Sequence, residues 1–560
     1  MKAHMSLLQK LRAEYKPALP KVLETGNFTV ETEPIGKLTA SDEDLKEIRE
    51  SFPHSIDESV VRFTEADSPD DSLKSDPLTV GVVLSGGQAP GGHNVIAGIW
   101  DALQKTNPGS RLLGFLNGPK GVIVGKYQEL DGELIDNYRN TGGFHMIGTG
   151  RDKIEKLEEL ESCRKVLTSL GVNGLVIIGG DDSNTNAAVL AEYLLDKGED
   201  IQVIGAPKTI DGDLKNEWIE TSFGFDTATK TYSELVGNIC VDCVSSGKYW
   251  YFIRLMGRTA SHITLEVALQ TRPNIAIISE EVRQKQMTLA DVVGQIVDVI
   301  CRRAALGKDY GTILIPEGML EFLPDMRHLI DELNHILKDD EEYIESLHFH
   351  SDRVQHVNSK LSPESAKVYA SLPEDIQEAL LRRDKHGNVP LSQIETGDLI
   401  IDLVTDEIRL LKSKGQYKGK FQGLSSFFGY EGRSVSPSNF DANYTYTLGH
   451  AATQLIRAGL TGYTVSARNL VAPTEEWILG GVPVTAMLNI EVRKGERKPV
   501  IKKSLVDLDG APFKEFEKSR HAWAMEDDYI SPGPIQYFGP SELCDTLPKT
   551  LLIEHGKSGT

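Results

Sequence analysis

Seven apolar runs constrain this chain more than any other feature in it: LTVGVVL, RLLGFL, GLVIIGG, IQVIGAP, YWYFIRLMG, NIAIIS and GTILIPEG, spread between residues 78 and 318. Near-continuous Val, Ile and Leu without polar alternation describe strands covered on both faces. Helical stretches separate them, and strands alternating with helices build parallel βα units. An α/β fold is therefore expected. At 560 residues the chain exceeds what one core usually supports, so two or more domains are expected.

Outside that block the texture changes. Residues 1–75 are polar, with acidic SDEDLKEIRESF and loop-like EADSPDDSLKSDP, and read as an N-terminal extension. From about 320 to 416 the strands stop, and LIDELNHIL, SPESAKVYASL, PEDIQEALL and DLIIDLVTDEIRLLKSKG read as amphipathic helices of an insertion. Within it Ser362 and Pro363 suit an N-cap and first helical position, and Gly415 suits a stop. After about 490 the pattern is mixed and uninformative.

Lys and Arg number 60 against 82 Asp and Glu, a formal net charge of -22. That balance argues against non-specific nucleic-acid binding, which basic surface drives. An anionic ligand must then find a local basic pocket within an unfavourable overall field. Five cysteines give no disulfide framework, and the Cys240–Cys243 pair has no second pair or nearby His to complete a zinc site. No run approaches the ~20 apolar residues of a membrane span, and the N-terminus has no signal-like apolar core. A reduced cytoplasmic compartment, with no membrane and no nucleic-acid partner, is expected.

Ligands of α/β sheets collect at the carboxyl ends of strands. Four strand ends here carry unusual residues. In LSGGQAPGGHN, four glycines let the backbone approach a ligand and aim N–H groups at an anion, although a tight turn without ligand reads equally well. In GGDDSNTNAA, Ser183 or Asn184 is expected to cap the following helix, and Asp181 and Asp182 stand directly after a glycine pair. A single acid would merely complement the helix dipole, whereas two suggest that one holds a hard cation such as magnesium. PKTIDGDLK combines Asp211 and Asp213 with Thr209 and flanking lysines, Lys208 and Lys215, as either a solvated turn or a phosphoryl-transfer loop. Finally GKYWYFIRLMGR, ILIPEG and GYEGR place Lys248, Tyr249, Arg258, Glu317, Tyr430 and Arg433 at strand or loop ends. Such a set suits a phosphorylated sugar.

Taken in order, GGQAPGGHN, GGDDSNTNAA, PKTIDGDL, MGR, PEG and GYEGR resemble the phosphofructokinase superfamily, over most of residues 78–450. PKTIDGDLKNEWIETSFGFDTATKTYSE and MGRTASHITLEVALQT resemble its long, diphosphate-dependent branch. The resemblance implies two Rossmann-like, mostly parallel sheet domains with the active site in the cleft, plus the helical insertion. The expected division is 1–75 as extension, 76–240 as the first α/β domain completed by segments after about 435, 241–435 as the second, and 436–560 as returning segments and the C-terminal region. It implies reversible, magnesium-dependent transfer of a phosphoryl group from diphosphate to the 1-hydroxyl of fructose 6-phosphate.

Residue by residue, the resemblance makes Asp211 the general base and Asp181 the magnesium-associated acid. Gly87 and Lys208 would contact diphosphate. Thr209, Ile210 and Asp213 would orient sugar and phosphoryl group from the same loop. Met256, Gly257, Arg258, Glu317 and the run Tyr430, Glu431, Gly432, Arg433 would hold the sugar phosphate, with Arg258 also assisting catalysis. ATP-dependent relatives have glycine where Asp182 and Lys208 stand. An Asp there would oppose the α-phosphate of ATP, since like charges about 4 Å apart repel by ~4 kcal/mol at an effective dielectric near 20. Lys208 would in turn attract the compact diphosphate, so donor choice would rest on repulsion and attraction together. Lys248 and Tyr249 stand where relatives use a residue from the neighbouring subunit, which implies a homo-oligomer, a dimer being favoured, with these two reaching across the interface. The alternatives are an ATP-dependent phosphofructokinase, another GGD-type kinase, and a non-catalytic regulatory subunit. Asp182 and Lys208 speak against the first, the MGR, PEG and YEGR set against the second, and intact Asp181 and Asp211 against the third.

Overall fold

Six of the seven apolar runs form largely buried strands, three of which keep every residue from solvent, whereas NIAIIS gives only a half-buried pair, Ile275–Ala276. The computed structural model describes residues 6–35, 39–382, 389, 394–493 and 496–557. Its strands are β1 (Phe28–Glu33), β2 (Val60–Glu65), β3 (Thr79–Leu84), β4 (Arg111–Phe115), β5 (Tyr127–Leu130), β6 (Gly174–Gly179), β7 (Gln202–Pro207), β8 (Trp250–Leu255), β9 (Ile275–Ala276), β10 (Gly311–Pro316), β11 (Gly423–Phe428), β12 (Tyr463–Arg468), β13 (Ile478–Pro483), β14 (Leu488–Arg493) and β15 (Glu496–Ile501). The chain divides into two units. One holds Met1–Ala228, Tyr430–Ser504 and Ile535–Leu551, and the other Thr229–Gly429, Leu505–Pro534 and Leu552–Thr560.

The first unit is built on a nine-stranded sheet of order β1-β2-β13-β12-β7-β6-β3-β4-β5. Its centre, from β12 through β7, β6 and β3 to β4, is parallel, whereas β5 and the β13-β2-β1 side are antiparallel. Leu113, Phe115, Leu175, Ile177 and Val203 from the sheet join Leu160, Leu167, Leu190 and Leu194 from helices in one core. A short antiparallel pair, β14-β15, stands apart from the large sheet.

Within the expected extension, Phe28–Glu33 and Val60–Glu65 are thus strands of this sheet. β2 pairs with β13 through Arg62–Gly480 and Val61–Gly481, and Val60, Val61 and Phe63 are buried. A side chain at Gly480 would meet the Val61 carbonyl at 1.8 Å, so this edge closes only on glycine. FTVETE forms the edge strand and VVRFTE its neighbour; both are short and half polar, which is why they do not read as strands beside charged neighbours.

The second unit carries a four-stranded, fully parallel sheet of order β11-β8-β10-β9. The expected helical insertion is present, from Pro324–Asp339 through Thr396–Ser413, with Ser362 accepting from the Ser365 N–H and Gly415 following the last helix at φ 70°. It is not a separate body: Leu329, Leu333, Tyr369, Leu399 and Val404 share one core with Trp250 and Ile313. The boundary lies at Ala228–Thr229, not near residue 240, because most of the Phe225–Ser246 helix packs with the second unit. There Cys240 Sγ meets Thr312 Oγ1 at 3.5 Å. The second crossing lies at Gly429–Tyr430, not 435, and the C-terminal region is shared between the units, not held as one block. Among the described residues no helix is long and apolar enough to cross a membrane.

Candidate functional site

Within the first unit, the carboxyl ends of β3, β6 and β7 converge. β3 runs into Ser85, Gly86 and Gly87, then into the Gly92–Thr106 helix. Gly86 adopts φ +82°, a conformation L side chains rarely take. At Gly87 a Cβ would stand 2.6 Å from Arg433 Nη2, so any side chain would displace that guanidinium. Thr149 holds the turn by donating its hydroxyl to the carbonyls of Leu84 and Gly86 at 3.1 and 2.8 Å.

β6 ends at Gly179, and the helix that follows is Asp181–Asp196 with Gly180 as N-cap. The expected caps, Ser183 and Asn184, lie inside the helix instead. The Asn184 amide donates backwards to the Gly179 and Gly180 carbonyls, at 2.7 and 2.8 Å, and Ser183 bonds the Ser85 hydroxyl, tying β6 to the glycine turn. The helix therefore begins at the two acids. Burial pushes the Asp181 carboxyl up, Lys503 pulls it down, and Asp182 and Asp213 push it further up.

β7 delivers Lys208, which is only 6% exposed. Its ammonium donates to the Gly87 carbonyl at 2.6 Å. Burial lowers it to about 8, Arg433 and Arg151 add to that fall, and Asp211 and Asp181 oppose it. The TIDGD loop is braced by its own hydroxyls: the Asp211 N–H donates to Thr209 Oγ1 at 3.0 Å, and Ser222 donates to the Thr209 carbonyl at 3.1 Å. Ile210 and Asp213 are buried and Asp211 is half-buried. Farther along, Asp441 accepts from the N–H groups of Gly224 and Thr227 at 3.0 and 2.9 Å, which fixes where the loop rejoins a helix.

Two features differ from expectation. Arg433, expected with the sugar-phosphate set, lies against Gly87 and over the Tyr430 ring, with 5.3 Å from guanidinium to centroid. Asp182 faces Lys153 at 3.6 Å with its side chain 46% exposed. Solvent and that counterion screen it, so the ~4 kcal/mol repulsion from simple Coulomb reasoning is an upper limit.

The structure also adds residues that sequence reasoning missed. Arg151 and Lys153 follow Gly150, which bridges to Ser85. Lys503 Nζ lies 3.6 Å from Asp181 Oδ2 and 3.4 Å from Asp213 Oδ2. Burial alone would lower the Lys503 ammonium, but Asp181, Asp213 and Asp211 together hold it above its ordinary value. Nothing local in IKKSLVD marks this lysine.

In the second unit, MGR and PEG meet at the carboxyl ends of β8 and β10. The Gly257 N–H donates to Glu317 Oε2 and the Gly318 N–H to the Gly257 carbonyl, both at 3.3 Å. Gly257 has φ +126°, and a Cβ on Gly318 would strike the Arg258 carbonyl at 1.8 Å. Met256 is half-buried and Arg258 exposed. Lys248 and Tyr249 lie at the other end of β8. Six strand residues separate them from Met256, about 20 Å at 3.3 Å per residue, so the structure does not bring them to the MGR end of their own chain.

Among the described residues, no group of three or more His, Cys, Asp or Glu side chains is placed to hold a metal alone. Asp181, a half-buried carboxylate beside the glycine turn, does fit magnesium, which is commonly held by one or two carboxylates plus substrate phosphates. All five cysteines are free, and Cys240 and Cys243 are buried.

Residues 79–456 match the family model described as Phosphofructokinase. The chain is 50% identical over 550 residues to a Porphyromonas gingivalis protein named pyrophosphate--fructose 6-phosphate 1-phosphotransferase, covering 98% of this chain and 99% of that one. It is 47% identical to a Treponema pallidum protein of the same name, covering 98% and 97%. It is 49% identical to an Arabidopsis thaliana protein named as subunit beta 1 of such an enzyme, covering 98% and 94%. A solved structure of a pyrophosphate-dependent phosphofructokinase from Nitrosospira multiformis shares the fold at TM-score 0.53 and 15% identity, covering 85% of this chain and 96% of that one.

Proposed function

Because the chain belongs to the phosphofructokinase family, we propose that it transfers a phosphoryl group from diphosphate to the 1-hydroxyl of fructose 6-phosphate, giving phosphate and fructose 1,6-bisphosphate. Relatives that match nearly end to end carry the corresponding name. The single observation that carries the donor assignment is Lys208. A buried ammonium beside Arg433 and Arg151, lowered to about 8 although Asp211 and Asp181 partly offset that fall, is held against a glycine turn, where a bound anion would relieve it further. Asp182 stands at the start of the helix that follows the neighbouring strand β6.

In this reading Asp211 accepts the proton of the 1-hydroxyl while that oxygen forms its bond to phosphorus and the bridging oxygen of diphosphate leaves with the phosphate product. General-base assistance of this kind is worth about 10²–10⁴-fold. Lys208, Arg433 and the Gly86–Gly87 backbone receive the donor's charge, which in phosphoryl transfer is most of what a protein has to do. Thr209, Ile210 and Asp213 fix the loop that carries the base. Met256, Gly257, Arg258, Glu317, Tyr430, Glu431 and Gly432 are the residues assigned to the sugar phosphate. Asp181 would hold magnesium, which supplies charge neutralisation on the phosphate oxygens when bound.

The far placement of Lys248 and Tyr249 along β8 supports their action in a second copy of the chain, hence a homodimer. Five free thiols support a reduced, cytoplasmic setting. The deciding experiment is a donor swap on the purified protein with native mass measured in parallel: turnover with diphosphate, and at least a hundredfold less with ATP, is expected. Comparable ATP turnover would overturn the donor assignment.

A further inference from the structure

We infer that Lys503 is a positioning residue of this phosphoryl-transfer site, a built-in cation that locks the Asp181 helix start to the Asp211–Asp213 loop. The inference rests on the functional reading above and adds a residue from a part of the chain with no motif.

The geometry is a strap. After β15 the backbone crosses from one catalytic element to the other. The Ile501 N–H donates to Thr185 Oγ1 at 3.3 Å, in the first turns of the Asp181–Asp196 helix. The Lys502 N–H donates to the Met487 carbonyl at 3.1 Å, and the Ser504 N–H to the Asp213 carbonyl at 2.7 Å. Lys503 sits between those anchors, with Nζ 3.6 Å from Asp181 and 3.4 Å from Asp213. Its side chain is 29% exposed and that of Asp213 only 8%, so this is not a freely solvated surface pair.

Charge explains why a lysine belongs there. The ends of β6 and β7 gather Asp181, Asp182, Asp211 and Asp213 beside a pocket meant for a polyanion. Lys208 and Arg433 face the glycine turn, and Lys153 faces Asp182. Lys503 is the cation placed on the two carboxylates that flank the base. Without it, Asp181 and Asp213 repel each other across two elements that share no strand pairing at these residues, and the loop carrying Asp211 loses this ionic tie to the helix start while keeping its Thr209 and Ser222 bonds. A neutral side chain of equal length preserves the packing and lacks that effect, so the role is separable from simple filling of space.

The test compares wild type, K503M, K503Q, K503R and, as a neighbouring surface control, K502M. Wild-type turnover with diphosphate checks the functional reading. Given that turnover, K503M and K503Q should lose a hundredfold or more in kcat, with KM for both substrates changed less than about threefold. K503R should regain at least tenfold over K503M, and K502M should match wild type. A readout independent of turnover is Mn²⁺ binding to the ligand-free protein by electron paramagnetic resonance. Removing the neighbouring cation should tighten it at least threefold in K503M and K503Q, and K503R should bind as wild type does. Should K503M fail to fold, K503Q and K503R carry the comparison. Wild-type turnover with K503Q within threefold of it, or unchanged Mn²⁺ affinity in K503Q, overturns the inference and leaves the functional reading standing. Absent wild-type turnover overturns the reading and the inference with it.

Discussion

Lys208→Met sets the needs of the fold against those of the site. Methionine matches the length of the lysine stem and removes the ammonium and its donor capacity. In the folded, ligand-free protein the charge is unfavourable: a fall from the usual 10.5 to about 8 corresponds to about 3 kcal/mol carried by the protonated form. Against that stands the charge-assisted bond to the Gly87 carbonyl, worth about 1.5–3 kcal/mol, at a residue that is only half-buried. The variant should therefore be as stable as wild type or up to about 2 kcal/mol more stable at pH 7, while kcat/KM for diphosphate falls by 10² or more, the usual loss when a preorganised donor to developing charge is removed. The difference also has a sign in pH. A lysine whose folded value is depressed leaves the unfolded chain holding the extra proton between about 8 and 10.5, so wild-type stability rises across that window. The gap to Lys208→Met should close above it. Over the same range wild-type kcat/KM should decline as the ammonium is lost, and Lys208→Arg should not share that limb. Thermal unfolding without ligand, run from pH 7 to 10.5 beside steady-state kinetics, reads all of this. A Tm more than about 2 °C below wild type at pH 7 would refute the reasoning, because the lysine would then be holding the fold together and not waiting for an anion.

Asp182→Gly should weaken diphosphate use and raise the ratio of ATP to diphosphate turnover at least tenfold. The gain should be modest, since Lys153 already screens that acid, and an unchanged ratio in the donor assay would contradict its gating role. Asp211→Asn should lower kcat by about 10²–10⁴-fold with KM for fructose 6-phosphate within a few-fold. Activity within tenfold of wild type would remove Asp211 as the base. Gly449→Ala tests the helix crossing behind the site: its Cβ would stand 2.1 Å from the Val95 carbonyl and 2.8 Å from the Ile99 nitrogen. Overpacking against backbone should destabilise by about 3 kcal/mol, read in urea unfolding, and a loss under 1 kcal/mol would show that the Gly92–Thr106 and Asn439–Arg457 helices can part.

By itself the sequence determined the parallel strands, the glycine turns and the order of the site loops. Each is a local matter: an apolar run buries itself wherever it is placed, and a turn needing glycine shows glycine. Gly87, Asp181, Lys208 and Asp211 stand just past strand ends, so reading the strands was enough to place them there, while the roles expected of them came with the family resemblance. Tertiary structure alone decided the rest. β1 and β2 are half-polar and become strands only because β13 offers them an edge. Arg433 reaches the glycine turn, and Lys503 reaches Asp181 and Asp213, through chain reversals that no local pattern encodes; the bond beside Lys503, from Ile501 to Thr185, joins residues 316 positions apart. A cation is recognised as part of a site by the charges around it, and those charges are neighbours only in the folded chain.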